Sequence, residues 1–388
     1  MIRYHRLGEL PAKKHVQFRQ PDGSLYAEQL FSTIGFDGPM TTLYHRNLPT
    51  EVAGWEDMGP ATPTYLADEP LRHRHLKTSR MTPFGDCVTG RVPLMGNRDC
   101  CWIQALVAEN QPEGTFYKNA EADEIYFLHD GAGRLESMYG TVSVRPGDYV
   151  VIPRGTIYRF QFESFPVRLL VLESHGAVTT PRRYRNEYGQ MLEHAPYSER
   201  DFRGPEALDV RGETGDFVVV VKARGRHTRY HYRFHPFDVV GWDGFVYPVA
   251  FSIHDFQPIT GQLHMPPPIH QTFATPSFVV CSFCPRVLDY HPDAIVIPYN
   301  HSNVDSDEIL YYCNDKFGSR KGIEEGSITM HPLGIPHGPQ PGAVEASLGA
   351  TRTNELAVMM DTFKPLALTA QALEIEDPDY WKSWQTNR

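Results

Sequence analysis

The sequence has little of what marks a membrane, nucleic-acid-binding or disulfide-rich protein. No apolar run approaches the roughly 18 residues that a membrane-spanning helix needs, and the beginning MIRYHRLGEL lacks the apolar core of a signal peptide. The formal net charge of -10 leaves no excess of lysine and arginine for nucleic acid or an anionic membrane surface. Six cysteines in 388 residues are too few for a disulfide framework. We therefore expect a cytoplasmic protein that binds neither nucleic acid nor a membrane.

Long apolar stretches with helical periodicity are also scarce, whereas proline and glycine are plentiful, at 32 and 31 residues. Short apolar runs such as DYVVIP, VRLLVLE and SFVVCSF are bounded by turn-forming residues. Many short strands separated by turns are typical of jelly-roll sandwiches and barrels. The pattern predicts an all-β fold, with a short helical or wrapping tail from Pro365 onward. The C-x-x-C of Cys281 and Cys284 lies in a strand-like run, which favours reduced thiols over zinc ligands.

One pattern occurs twice along the chain. In each copy an Asp-Glu pair begins a β-rich run. Some 20 residues further on come glycine, five residues, proline, one residue, glycine, two residues and a larger side chain. These later positions are Gly147, Pro153, Gly155 and Tyr158 in the first copy and Gly326, Pro332, Gly334 and His337 in the second.

The repeated pattern resembles that of the cupin superfamily, whose two motifs bring histidines and a glutamate together inside a small barrel. The second copy has all three side-chain types, in His301, Glu308 and His337. Two imidazoles and one carboxylate suit non-haem Fe(II) and leave coordination positions open. Asp307 is an alternative carboxylate, but alternation along a strand places it on the face opposite Glu308. The superfamily pattern favours Glu308, the acid directly before the apolar run.

The first copy keeps the acid but not the histidines. Tyr117 stands where the second copy has His301, and Tyr158 stands where it has His337. This barrel is therefore predicted to be structural, with Glu124 hydrogen-bonded rather than bound to a metal.

The repeat predicts a bicupin of two barrels. We expect an N-terminal cupin-like domain over residues 1–200, without metal ligands, and a C-terminal cupin domain over residues 201–388 that carries the iron site. Proteins with many strand edges often cover them by association, so a homo-oligomer is expected.

Longer stretches narrow the resemblance to one family. HPFDVVGWDGFVYP, PITGQLHMPPPIHQTF and HSNVDSDEILYY followed by SITMHPLGIPHGPQPG resemble homogentisate 1,2-dioxygenase and its shorter bacterial relatives. The similarity extends over nearly the whole chain. It implies an Fe(II)-dependent bicupin that opens the ring of homogentisate or a close para-diphenol with both atoms of O2. Such a reaction belongs to the catabolism of tyrosine and phenylalanine.

The resemblance also implies roles for individual histidines. The family's iron ligands fall on His301, Glu308 and His337. A histidine that the family keeps six residues before the last ligand falls on His331. The family's proposed base matches His270, with His264 as the competing candidate. A histidine that titrates near neutral pH suits the removal of a phenolic proton.

Two departures from the family pattern leave the substrate open. The spacing from His301 to Glu308 is one residue longer than the family's H-x5-E, and Phe317 stands near the place of a substrate-contacting tyrosine. The alternatives are another cupin extradiol dioxygenase, of gentisate or hydroquinone type, and a non-catalytic cupin binding protein. A retained ligand set with spare histidines nearby favours an enzyme, because a binding module needs neither.

Overall fold

Strands account for 40% of the residues and helices for 9%, which confirms the all-β prediction. The computed structural model describes residues 3–67 and 69–386. In these ranges every helix is too short or too polar to span a bilayer.

The described part of the chain contains twenty-seven strands. Those of the first half are β1 (His5–Gly8), β2 (Ala27–Ser32), β3 (Met40–His45), β4 (Gly54–Pro60), β5 (Arg74–Lys77), β6 (Arg91–Gly96), β7 (Cys100–Val107), β8 (Thr115–Asn119), β9 (Asp123–Leu128), β10 (Gly133–Ser137), β11 (Gly140–Val144), β12 (Asp148–Ile152), β13 (Tyr158–Phe162) and β14 (Val167–Ser174).

The second half adds β15 (Phe202–Arg203), β16 (Thr214–Ala223), β17 (Arg226–Phe234), β18 (Val239–Gly244), β19 (Val249–Ser252), β20 (Gln271–Ala274), β21 (Phe278–Phe283), β22 (Arg286–Val287), β23 (Glu308–Tyr312), β24 (Ser327–His331), β25 (Arg352–Thr353), β26 (Ala357–Thr362) and β27 (Ala367–Leu368). The α-helices are α1 (Ala343–Ser347) and α2 (Ala370–Glu374). Short 3₁₀ helices lie at Ile34–Phe36, Thr78–Arg80, Arg182–Tyr184, Glu199–Asp201, Ile253–Asp255, Pro267–His270 and Tyr380–Trp384.

The first barrel consists of two sheets around one apolar core. Its seven-stranded sheet has the order β11-β10-β13-β8-β16-β17-β4, and its eight-stranded sheet the order β15-β19-β12-β9-β14-β7-β6-β27. Alternate residues of each strand point into the space between the sheets. Tyr117, Tyr126 and Tyr158 are fully buried there. A smaller sheet, β1-β18-β3-β2, lies beside this barrel.

The second barrel rests on a six-stranded sheet with the order β20-β21-β26-β23-β24-β5. One face packs against the first barrel, since Ile309 and Tyr311 of β23 share a core with Phe127 of β9. The opposite face carries Leu310 and Met359, which belong to a separate small cluster inside the second barrel. Residues of long loops and of the β22-β25 ribbon line a cavity over that face. Because side chains alternate along β23, one face of this strand packs against the first barrel and the other points into the second barrel.

Strands cross between the two halves of the chain. Strand β5, from the first half, pairs with β24 in the six-stranded sheet. Strands β16 and β19, from the second half, pair with β8 and β12 in the sheets of the first barrel. A boundary at residue 200 therefore runs through hydrogen-bonded sheets, and the division into residues 1–200 and 201–388 stays a prediction. Single-sequence patterns mark where strands begin and end but do not show which distant strand each one joins.

The tail that begins at Pro365 wraps over both barrels, as expected. Strand β27 pairs with β6 of the first barrel. The last 3₁₀ helix places the ring of Trp384 4.6 Å from the ring of His73, centroid to centroid. The six cysteines are all buried with free thiols, including Cys281 and Cys284.

Two cationic side chains, Arg91 and Lys222, lie inside the first barrel beside its acids. Glu124 accepts a hydrogen bond of 2.6 Å from the hydroxyl of Tyr158 and lies 2.9 Å from Nη1 of Arg91. Glu173 lies opposite Glu124 on the neighbouring strand and pairs with Nζ of Lys222 at 2.5 Å. Two carboxyl groups thus face two cations inside the barrel. The expectation that Glu124 is hydrogen-bonded is confirmed.

Candidate metal centre

Glu308 begins β23 and points into the second barrel. Its Oε2 lies 3.5 Å from Nε2 of His301 and 3.5 Å from Nε2 of His337. Its Oε1 accepts a hydrogen bond of 2.7 Å from Nδ1 of His331. Burial alone raises the pKa of Glu308, but its contacts with the three histidines outweigh burial and hold this pKa well below the usual range. The carboxyl group is therefore ionised at neutral pH.

A backbone bridge holds His301 and His337 side by side. Each residue donates its backbone N–H to the carbonyl of the other at 2.8 Å, and the ring centroids are 4.2 Å apart. The chain reaches His337 through Gly334, whose φ of 76° is unfavourable for residues with a Cβ. The N–H of Gly334 donates to the carbonyl of Asn303 at 2.7 Å. The repeated glycine thus shapes the turn that returns His337 to His301.

Asp307 faces away from the histidines, although it precedes Glu308 directly. Its Oδ1 accepts from the backbone N–H of Leu333 at 2.8 Å, and its Oδ2 accepts from that of Leu366 at 2.6 Å. Adjacent side chains on a strand point to opposite faces. Asp307 therefore joins two loops to β23, whereas Glu308 is the acid that meets the histidines.

The donor set of His301, Glu308 and His337 fits a metal ion. One ligand atom from each residue lies within 4.8 Å of the other two. Nε2 of His337 is buried, and no described residue forms a hydrogen bond with it. A bare imidazole nitrogen facing a carboxylate oxygen is unfavourable unless a cation lies between them. Nitrogen and carboxylate donors of this kind accept Fe, Zn or Mn.

A second cluster of possible ligands already contains its own cation. His129, Asp130 and Glu325 lie close enough together to hold a metal. However, Arg168 pairs with Asp130 at 3.4 Å and with Glu325 at 3.2 Å. The guanidinium supplies the positive charge that these acids need, so this cluster is an ion-pair network between the barrels.

A cavity of about 890 Å³ opens beside His301 and Glu308. This volume is in the range of sites for small organic molecules. Its walls are apolar at Leu310, Phe317 and Met359. Four cationic residues also line it, namely Arg286, Lys316, Arg320 and Arg352. The cavity therefore suits an aromatic ring that carries polar or anionic substituents.

The two candidate bases differ in their access to the cavity. His264 lines it, with Nδ1 3.6 Å from the carboxylate of Asp289 and Nε2 3.3 Å from the hydroxyl of Tyr299. His270 is not among the lining residues described. It is buried, with its ring 4.7 Å from that of Phe283, which does line the cavity. Of the two candidates, His264 is therefore the one that lines the cavity.

Burial of His270 predicts an acid-sensitive contribution to stability. Burial first, and Arg286 second, lower the pKa of His270 from 6.5 to about 3. Below pH 6.5 the imidazole of His270 is protonated in the unfolded chain but stays neutral in the folded protein. The free energy of unfolding therefore falls as the pH drops from 6.5 towards 3. We expect His270→Leu to flatten this dependence by about one proton, as measured by urea unfolding at several pH values. An unchanged slope would show that His270 is not held neutral by burial.

Sequence reasoning missed two residues beside the site. Asp361 of β26 lies opposite Glu308 and lines the cavity, and burial and Glu308 together raise the pKa of Asp361 well above the usual range. The internal repeat offered a signal, because Asp361 ends an apolar run as Glu173 does in VRLLVLE. His73 comes from the first half of the chain, with its ring 5.5 Å from that of His331. No local pattern marks His73, since the pairing of β5 with β24 brings it there.

Comparisons with known proteins place the chain among dioxygenases. The family model described as "Homogentisate 1,2-dioxygenase N-terminal" matches residues 61–253, and that described as "Homogentisate 1,2-dioxygenase C-terminal" matches residues 251–388. A protein of Saccharolobus solfataricus named "Putative dioxygenase SSO1533" is 42% identical over 389 residues, which is 100% of each chain. Homogentisate 1,2-dioxygenases of Bradyrhizobium diazoefficiens and Rhodopseudomonas palustris are 28% identical over 71% of this chain and 64% of their own length. Among solved structures, a cupin 2 conserved barrel domain protein from Leptotrichia buccalis has a TM-score of 0.34 and 10% identity, over 75% of this chain and 96% of that chain.

Proposed function

This chain belongs to the homogentisate 1,2-dioxygenase family, and we propose that it cleaves the ring of homogentisate or a close para-dihydroxyaromatic acid with O2, using Fe(II). It is an enzyme of the dioxygenase class. One observation carries the proposal: an ionised glutamate, Glu308, lies between the imidazoles of His301 and His337 beside a cavity of about 890 Å³.

The side chains of the site have distinct tasks in this proposal. His301, Glu308 and His337 would hold the metal, and this set leaves adjacent coordination positions open. Bound Fe(II) supplies a centre at which a dihydroxyaromatic ring and O2 can both bind. His331 positions Glu308 through its hydrogen bond, and burial, followed by Arg320, lowers the pKa of His331 to about 3. A neutral His331 donates from Nδ1 and adds no positive charge beside the site.

We assign the removal of the phenolic proton to His264. Burial lowers the pKa of His264, and Asp289 opposes that effect. The imidazole is therefore neutral at pH 7 and can accept a proton. The carboxylate of Asp289, 3.6 Å from Nδ1, orients the ring and stabilises the charge that the ring gains.

Replacing His264 should slow turnover without removing the metal. We expect His264→Gln to lower kcat by at least about 100-fold, which is the usual contribution of a general base. Iron content should stay at the wild-type level, because His264 is not among the donors around Glu308. The matched variant His270→Gln should lose much less activity. The measurement is the rate of oxygen uptake per bound iron; a large loss in His270→Gln alone would assign the base to His270.

The experiment that tests the proposed function uses protein loaded with Fe(II) under anaerobic conditions. Oxygen uptake and product absorbance are then followed with homogentisate, gentisate and hydroquinone, and Zn(II)-loaded protein serves as the control. Uptake that requires iron and is fastest with homogentisate supports the proposal. No uptake with any of the three compounds overturns it. A place in tyrosine and phenylalanine catabolism depends on this result, and the homo-oligomeric state stays a prediction.

Phe317 favours a second candidate, a cupin dioxygenase of gentisate or hydroquinone type. Phe317 lines the cavity near the place of the family's substrate-contacting tyrosine. A phenyl ring offers no hydroxyl to hold a substrate carboxylate or hydroxyl. A higher kcat/KM for gentisate or hydroquinone than for homogentisate would select this candidate. Membership of a dioxygenase family disfavours the remaining alternative, a non-catalytic binding protein.

A further inference from the structure

Three polar side chains form a row across the six-stranded sheet. In register, Glu308 of β23 lies between His331 of β24 and Asp361 of β26. His331 forms a hydrogen bond with Glu308, as described above. Asp361 lines the cavity on the other side of Glu308. Its Oδ1 is buried and has no hydrogen-bond partner in residues 3–67 and 69–386.

This arrangement is unfavourable for the protein alone. Carboxyl groups directly opposite each other on neighbouring strands destabilise a sheet when both are charged. A buried polar oxygen without a partner is a further cost to folding. Asp361 as a whole is only partly buried and lines the cavity, so a bound molecule can supply a hydrogen bond to its carboxyl group.

In the first barrel, the acid at the corresponding position has a partner within the protein. Glu173 lies opposite Glu124 in register, as Asp361 lies opposite Glu308. In the first barrel, however, Lys222 donates to Glu173 at 2.5 Å. Among the described residues, no lysine or arginine forms an ion pair or hydrogen bond with the Asp361 side chain. Asp361 lines the cavity of the second barrel instead.

We propose that Asp361 binds a ring hydroxyl of the aromatic substrate and thereby selects diphenols over monophenols; this inference rests on the proposed function. A hydroxyl can form a hydrogen bond with the carboxyl group in either protonation state. A substrate carboxylate is excluded from the end of the cavity beside Asp361, because it would meet the acidic side chains of Glu308 and Asp361. It is directed instead towards the exposed cations Lys316 and Arg352 in the cavity wall.

The test measures binding rather than turnover. Anaerobic Fe(II)-loaded protein is titrated by calorimetry with homogentisate, 2-hydroxyphenylacetate and 3-hydroxyphenylacetate. Each of the two monophenols lacks one of the two ring hydroxyls of homogentisate. We expect Asp361→Leu to weaken homogentisate binding about tenfold, the usual effect of losing one such hydrogen bond. It should leave the affinity of one monophenol within about twofold of wild type, because that compound lacks the hydroxyl that Asp361 contacts.

Two further variants make the result specific. Asp361→Ala removes the carboxyl without adding bulk, and it should reproduce the pattern even if the leucine variant folds poorly. Met359→Leu changes the same face of β26 without changing a polar group, so any effect on affinity should be equal for all three compounds. Equal changes for all three compounds in the Asp361 variants, or no change, would overturn the assignment of Asp361. If wild-type protein binds none of the compounds, the proposed function fails and this inference fails with it.

Discussion

Glu308→Gln is expected to abolish metal binding and oxygen consumption while leaving the fold intact. Glutamine keeps the size of the side chain and can still accept from His331, but it cannot serve as an anionic ligand. Loss of a group that merely supports a ligand costs about 10–100-fold in metal affinity or activity. Loss of the ligand itself should therefore exceed about 100-fold. Iron content after dialysis and the rate of oxygen uptake measure the effect.

Asp307→Asn provides the matched control, because Asp307 is the neighbouring acid on the opposite face of the chain. An amide at this position turns one donor towards a backbone N–H, at Leu333 or Leu366, and that hydrogen bond is lost. We expect the free energy of unfolding to fall by about 1–3 kcal/mol with iron content unchanged. If Asp307→Asn lost the iron and Glu308→Gln kept it, the ligand would be Asp307.

Arg91→Met is expected to be among the most destabilising single substitutions in this chain. The guanidinium is almost completely buried, 2.9 Å from Glu124 and 3.4 Å from Glu173. Removing it leaves two buried carboxyl groups with Lys222 as the remaining cation. Breaking a buried ion pair in this way costs about 3–5 kcal/mol. Urea unfolding followed by circular dichroism measures the loss.

Two comparisons separate this effect from the mere loss of an arginine. Arg226 pairs with Asp57 at the surface, where water screens the charges, so Arg226→Met should change stability little. Combining Arg91→Met with Glu124→Gln should recover part of the lost stability, because it neutralises one unpaired acid. Equal losses in Arg91→Met and Arg226→Met would refute a role for Arg91 as the cation of the first barrel.

The contrast between the two barrels explains why the candidate metal ligands could be identified from the sequence. His301 and His337 appear in one copy of a repeated pattern, and tyrosines appear in the other. The spacing of the candidate ligands follows from local structure, namely the start of β23 at Glu308 and the turn at Gly334. The same alternation separates Asp307 from Glu308. These inferences need only short-range geometry, which the order of residues contains.

Other features depend on contacts between distant parts of the chain. Arg91 of β6 meets Glu124 of β9 because both strands belong to one sheet, in which β7 and β14 lie between them. The resemblance favoured His270 as the base, whereas the folded chain buries His270 behind Phe283 and turns His264 to the cavity. Burial of this kind is a property of packing, and no pattern in HMPPPIHQTF shows which of the two histidines lines the cavity.

The sequence by itself determined the all-β class, the two copies of the motif, the candidate ligands His301, Glu308 and His337, and the family. It could do so because alternation along a strand and the φ requirement of a turn glycine act within a few residues. The tertiary structure alone decided which acids have partners. Glu173 has Lys222, whereas Asp361 lines the cavity. Such pairing depends on which side chains meet across sheets after folding, and residues far apart in the chain establish it only when the barrels close.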